Sequence, residues 1–297
     1  MGGRAGTVVD MRRWWRDLTD LVLPSECGGC GRPRTVLCPR CRTALSGAEP
    51  CRVRPDPEPP GLPVVHAAAR YADQVRAALL AHKERGALAL AAPLGVALAG
   101  AVRAGLATGG GTGFRTGGGA VLLVPVPSAR GAVRARGHDP VRRIALTAAA
   151  ELRRTGTPAR VLAALRQRRA VADQSGLNSR QRQDNLAGAL EVVPGARRLL
   201  GEGRVVLVDD LMTTGASLAE AARAVRLTGR AAGAEAVCGT DGREETGEVS
   251  TRMTVEATVR RYGVPVEAVA AGRVRAGDGL RAAVVAASPD AFEINRN

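Results

Sequence analysis

Asp209 and Asp210, followed by Thr213, Thr214, Gly215, Ala216 and Ser217, hold the densest collection of reactive groups in this 297-residue chain. Two adjacent carboxylates accept hydrogen bonds from sugar hydroxyls or sit near a Mg2+. They cannot bind phosphate themselves. A turn of hydroxyls and glycine that opens a helix supplies what they lack, because its unpaired N–H groups and the positive end of the helix dipole attract a phosphate. Gly215 permits the backbone angles of a tight anion nest. The apolar run 205–208 before the acids has the length of a buried parallel strand. After the turn, Leu218, Ala222 and Val225 fall on one face of an amphipathic helix. An ordinary α/β strand–turn–helix shares this outline; the acids and the turn in that order point to a phosphorylated sugar.

Six cysteines are present, and four form two C-x-x-C pairs, Cys27 with Cys30 and Cys38 with Cys41. Each pair puts two thiolates on one tight turn, and two such turns meet the needs of a tetrahedral four-cysteine zinc site. A pair of disulfides, or a redox C-x-x-C, is the alternative, which a reducing compartment disfavours. Four protein ligands leave no open position, so such a zinc is structural. Arg32, Arg34, Arg40 and Arg42 surround the pairs and would also suit a polyanion. Cys51 stands apart as a free thiol, and Cys238 reads as a small buried hydrophobe.

Lys83 is the only lysine among 43 basic residues. In so arginine-rich a chain, a retained lysine suggests a site where a compact ammonium is wanted, although a solvated helix end is equally compatible. Lys83 and Arg136 are the candidate catalytic residues. Arg130, Arg134 and Arg136 lie on a basic loop, 128–138, behind an apolar strand, which places them to hold an anionic leaving group such as diphosphate. His138 on this loop reads as a structural hydrogen-bonding residue.

The elements that must position these groups follow from periodicity. Trp14, Trp15, Leu18, Leu21 and Val22 predict a short amphipathic helix. Residues 55–63 contain five prolines and a glycine and read as a semi-rigid linker. The chain accordingly divides into a cysteine-bearing unit (1–54), the linker (55–63) and an α/β domain (64–297). A strand at 64–71 leads into a helix at 73–82 and a second helix at 87–106. A glycine-rich surface loop fills 107–119. A strand at 120–127 ends in prolines, and Asp139 caps a helix that has Pro140 at its first position. Residues 231–237 read as a further strand, and 280–287 as a buried one.

The formal net charge is +15 and the pI about 11.2. Such a field attracts polyanions, nucleic acid first, although coding bias toward arginine accounts for part of it. Aromatics make up 2% of the chain, which leaves few base-stacking platforms. Charges break every long apolar run, so no membrane span is expected. The acidic and basic residues between positions 10 and 20 exclude a signal peptide. A cytoplasmic location follows.

The stretch 204–217 resembles the phosphoribosyl diphosphate (PRPP) motif of type I phosphoribosyltransferases. That resemblance implies that Asp209 and Asp210 hold the ribose hydroxyls and that Thr213, Thr214, Gly215, Ala216 and Ser217 cradle the 5′-phosphate. Mg2+ would accompany PRPP. Thr213 stands where salvage enzymes often carry an acid, so no general base is identified. The order of four cysteines, a His82-Lys83-x-Arg85-Gly86 turn, a Val-Pro-Val-Pro strand, an Arg134-x-Arg136-Gly137-His138 loop and the PRPP motif is similar to the ComF family of competence-associated phosphoribosyltransferase-like proteins. The family implies the type I phosphoribosyltransferase fold with a small zinc-knuckle domain, a role in DNA uptake, and single-stranded DNA and other competence proteins as partners. A salvage phosphoribosyltransferase with no DNA role is the alternative. The segment 166–190 resembles the mobile hood over the PRPP site in relatives, and Arg180, Arg182 and Asn185 would close over diphosphate; an ordinary solvated loop is equally compatible. Residues 238–279 exceed the family pattern and read as an insertion.

Overall fold

The computed structural model describes residues 26–108, 119–169, 171, 179–235 and 279–295. The expected tryptophan helix, Cys238 and nearly all of the 238–279 insertion lie outside these residues.

Eight strands and eight α-helices are described. The strands are β1 (Cys51–Val53), β2 (Val64–Arg70), β3 (Val121–Pro125), β4 (Ala159–Val161), β5 (Leu165–Gln167), β6 (Leu190–Val192), β7 (Arg204–Met212) and β8 (Arg281–Ala287). The helices are α1 (Pro39–Ser46), α2 (Asp73–Glu84), α3 (Ala91–Ala107), α4 (Arg130–Arg136), α5 (Pro140–Arg154), α6 (Ser179–Leu186), α7 (Ala196–Leu200) and α8 (Ala216–Glu235). Six strands form one sheet in the order β1-β2-β8-β7-β3-β4. All its neighbours run parallel except β1, which pairs antiparallel with β2 at the edge. β5 and β6 make a separate antiparallel pair. The fold class is therefore α/β, with a mostly parallel mixed sheet flanked by helices.

The central strands are apolar on both faces, as a sheet covered on both sides requires. Val206 and Val208 belong to one core cluster with Val121, Leu123 and Val285 of the sheet, Leu94, Leu98 and Val102 of α3, and Ile144 and Leu152 of α5. Leu207 and Val284 join a second cluster with Leu218, Ala221, Ala222 and Val225 of α8. Leu88–Ala107, a 3-10 turn plus α3, is the one segment among the described residues long and apolar enough to cross a membrane. Its Leu94, Leu98, Ala99 and Ala101 are fully buried against α5 and the sheet, and it serves as the central core helix.

Three local expectations change. Residues 231–235, read as strand, continue α8; Ala231, Ala232, Ala234 and Glu235 are strong helix formers and no β-branched residue intervenes. The basic loop contains a helical segment, α4, closed by Gly137 at φ 73°. The expected strand 205–208 extends to Met212, so both acids belong to β7 itself.

Candidate functional site

The acids lie where the sheet changes direction. β3 leads through α5 to β4 on one side, whereas β7 leads through α8 to β8 on the other. The carboxyl ends of β3 and β7 therefore flank a topological switch point, the usual ligand crevice of an open α/β sheet. The prolines sharpen it. β3 stops at Pro125, opposite Val208, and β7 runs on paired only with β8. Asp209 and Asp210 occupy the stretch of β7 left unpaired on that side by the early stop.

Asp210 is buried, with 5% of its surface exposed, and takes a hydrogen bond from Lys83 Nζ at 2.9 Å on Oδ2. Burial alone would lower the Lys83 pKa, but the carboxylates of Asp210 and Asp209 outweigh it and hold the ammonium above its ordinary value. Asp209 is partly exposed, and its Oδ1 accepts from the Asp210 backbone N–H at 2.8 Å. Burial at the strand end, followed by the neighbouring Asp210 charge, pushes the Asp209 carboxyl well above the usual range. The two acids thus differ: Asp210 carries a counter-ion, and Asp209 holds its proton more tightly than an ordinary aspartate does.

The turn after β7 opens α8 at Ala216, with no acidic residue in the first helical turn to repel an anion. Gly215 has φ 75°, a left-handed conformation costly to any residue with a Cβ, and a Cβ there would lie 3.2 Å from Leu62 and 3.4 Å from Pro55. The proline-rich segment, expected as a linker, therefore lies against the turn. Arg226 of α8 also hydrogen-bonds the Gly61 carbonyl, and the Arg54 N–H the Ala291 carbonyl.

α6 approaches from the opposite side. Arg182 Nη1 donates to Thr213 Oγ1 at 3.3 Å. Arg182, expected over diphosphate, thus touches Thr213, the first residue of the turn expected to hold phosphate. The β5–β6 pair beneath α6 is tied to α8: buried Glu220 accepts from Leu190 N at 2.9 Å, and Arg223 bonds both Glu220 and the Leu190 carbonyl.

Arg130 and Arg134 are exposed. Arg136 makes a two-pronged pair with Glu84, Nε to Oε2 at 3.0 Å and Nη2 to Oε1 at 2.8 Å, which sets it beside Lys83. Two histidines hold this arrangement. His82, 1% exposed, places its ring nitrogens 3.4 Å from the Ala87 and Pro140 carbonyls; His138 places its own 3.1 Å from the Arg136 carbonyl and 3.3 Å from the His82 carbonyl. Asp139 caps α5, accepting from Arg142 N at 3.1 Å. His82 was part of a sequence motif, but neither its contact with Pro140 nor the pairing of Glu84 with Arg136 could be read there, because these partners are 58 and 52 residues away.

The sulfurs of Cys27, Cys30, Cys38 and Cys41 all lie within 4.8 Å of one another, with Cys30 and Cys38 at 3.6 Å. Thiolates about 2.3 Å from a tetrahedral metal are about 3.8 Å apart, so the cluster can hold a metal ion. The Cys38 N–H points at Cys27 Sγ, 3.3 Å away. Cys27 has a thiol brought down to about 6; burial opposes the shift, but N–H groups of Cys38, Cys30 and Gly29 outweigh it. The cluster rests on the α/β core: Cys27, Cys38 and Cys41 pack in one hydrophobic cluster with Val75 and Leu79 of α2 and with Leu90. A Cβ on Gly28 would lie 2.5 Å from Leu90. Cys51, on β1, is a free thiol whose pKa burial raises.

No protein-family model matches the chain, and no curated protein is significantly similar to it.

Proposed function

We propose that the chain binds PRPP in the β3/β7 crevice as a ComF-type phosphoribosyltransferase-like protein, acting on the path of incoming DNA. The observation that carries this reading is the succession along β7: two acids on the stretch that β3 leaves unpaired, then a left-handed glycine turn that opens a 20-residue helix free of acid in its first turn. Asp209 and Asp210 would take the ribose 2′- and 3′-hydroxyls, and the Thr213–Ser217 turn the 5′-phosphate. Lys83 and Arg136, brought side by side through Glu84, would face the diphosphate, with the exposed Arg130 and Arg134 at its rim. Mg2+, bound with the diphosphate, would neutralise part of its charge.

Cleavage of the ribosyl–diphosphate bond builds positive charge at the anomeric carbon. This chain's contribution is charge placement and exclusion of water, with Asp209 and Asp210 fixing the sugar while the cations steady the departing diphosphate. The four-cysteine cluster would hold a structural Zn2+. Arg32, Arg34, Arg40 and Arg42 around it are all exposed and, in a chain of net charge +15, provide a face for single-stranded DNA.

The protein is incubated with PRPP, Mg2+ and a panel of nucleobases while diphosphate release is measured. Release with one base establishes a salvage-type transferase. Saturable PRPP binding without release supports a ligand-binding role. No binding overturns the reading.

A further inference from the structure

At the phosphate end of the crevice, a cavity of about 260 Å3 opens among Thr214 and Ala216 of the turn, Arg180 and Gln183 of α6, and Pro57, Glu58 and Pro59 of the proline-rich segment. A phosphate group alone is far smaller than this space. The helix N-terminus accounts for one wall only. The others come from separate segments with different chemistry: proline faces on one side, a carboxylate at Glu58, and a cation with an amide on α6. Beside it, Arg182 reaches Thr213 through Nη1 while its Nε is buried with no hydrogen-bond partner among the described residues. A buried guanidinium nitrogen facing no acceptor is costly unless an anion completes it.

We propose that the phosphate subsite takes a phosphodiester or pyrophosphate linkage, with a nucleoside on its far side seated in this cavity. The fit follows from the walls. Pro57 and Pro59 present flat apolar surface to a base or sugar ring. Glu58, whose Oε2 pairs with Arg54, accepts through Oε1 from ribose hydroxyls or an exocyclic amine, and Gln183 both donates and accepts. Arg180 and Arg182 share the phosphate charge, Arg182 from beside Thr213. The ligand class is a ribose 5-phosphate whose phosphate carries a second nucleoside. This rests on the phosphoribosyl reading of Asp209, Asp210 and the turn.

Titration calorimetry on the full chain with ribose 5-phosphate and with ADP-ribose separates the two ideas. ADP-ribose, whose free ribose is joined through its 5′-pyrophosphate to adenosine, is expected to bind at least about tenfold more tightly. Gln183→Trp, which fills the cavity, is expected to remove that advantage and leave ribose 5-phosphate within about twofold. Arg180→Ala serves as a milder second variant and is expected to reduce the advantage. ADP-ribose binding no tighter than ribose 5-phosphate, or an advantage that survives both variants, overturns the second-nucleoside subsite and leaves the phosphoribosyl reading intact. Failure of both ligands to bind overturns both.

Discussion

Lys83 Nζ and Asp210 Oδ2 meet at 2.9 Å across 127 residues of sequence. The only lysine of the chain thus serves as counter-ion to the more buried of the two site acids. Its side chain keeps 34% of its surface exposed, against 6% for Asp210, so the lysine can turn toward a ligand while the acid stays fixed. Under the proposed phosphoribosyl reading, a sugar hydroxyl arriving at Asp210 would share the carboxylate with this ammonium.

Lys83→Met leaves Asp210 buried without its counter-ion and is expected to cost about 1–3 kcal/mol of stability, less than for a fully buried pair because the lysine is partly solvated. Lys83→Arg keeps the charge but replaces a compact ammonium with a longer planar fork. Denaturant unfolding should show Lys83→Arg folding near wild type, and calorimetry should show PRPP affinity at least about tenfold lower. Wild-type affinity in Lys83→Arg contradicts a specific role for the lysine.

Asp209 supplies the pH dependence. Its carboxyl is raised, first by burial and then by the Asp210 charge, so the folded protein binds this proton more tightly than the unfolded chain does. The contribution of Asp209 to stability therefore falls as pH rises from the ordinary value of 3.8 through the raised one. Asp209→Asn should unfold at a temperature roughly 2–4 °C higher than wild type near pH 8, without ligand, for a gain of about 1 kcal/mol. It should also lose PRPP binding by at least about tenfold. Intact affinity in Asp209→Asn overturns the ribose assignment.

The cysteine cluster predicts about one zinc per chain by elemental analysis. Cys41→Ser, or treatment with a strong chelator, should remove the metal and lower stability by about 3 kcal/mol or more, because Cys27, Cys38 and Cys41 pack with α2 and Leu90. Wild-type melting after complete chelation excludes a structural metal.

Gly215→Ala tests the turn. A Cβ at φ 75° costs about 1–2 kcal/mol in backbone strain alone, before contact with Leu62 and Pro55. PRPP affinity should fall by at least about tenfold, while zinc content and circular dichroism stay at wild-type levels.

Nucleic-acid binding through the basic faces should weaken by at least about a hundredfold between about 50 and 200 mM salt, whereas PRPP binding in its crevice should change far less. Fluorescence anisotropy with labelled single-stranded DNA measures the first and calorimetry the second. DNA affinity that holds across this range rules out phosphate-driven binding.

The candidate site was readable in the sequence wherever its parts are contiguous. Strand, acid pair, hydroxyl–glycine turn and helix succeed one another within residues 204–225, and their order alone places acids beside a helix N-terminus. The two C-x-x-C pairs are equally local, and so is the Asp139–Pro140 start of α5. Periodicity marked the buried strands because β3, β7 and β8 are apolar on both faces. It failed at 231–235, where the helix-forming alanines carried α8 through a stretch read as strand.

Tertiary structure decided what the acids are. Adjacent in sequence, Asp209 and Asp210 carry identical side chains; in the folded chain α2 brings Lys83 to one, while burial at the strand end and its neighbour's charge raise the pKa of the other. The same contacts bring Arg136 to Glu84, Arg182 to Thr213, and the proline-rich segment to Gly215. A sequence fixes hydrogen-bond capacity and local geometry residue by residue. Desolvation and charge pairing depend on which groups the sheet order brings within a few ångströms, and here those groups lie tens to more than a hundred residues apart.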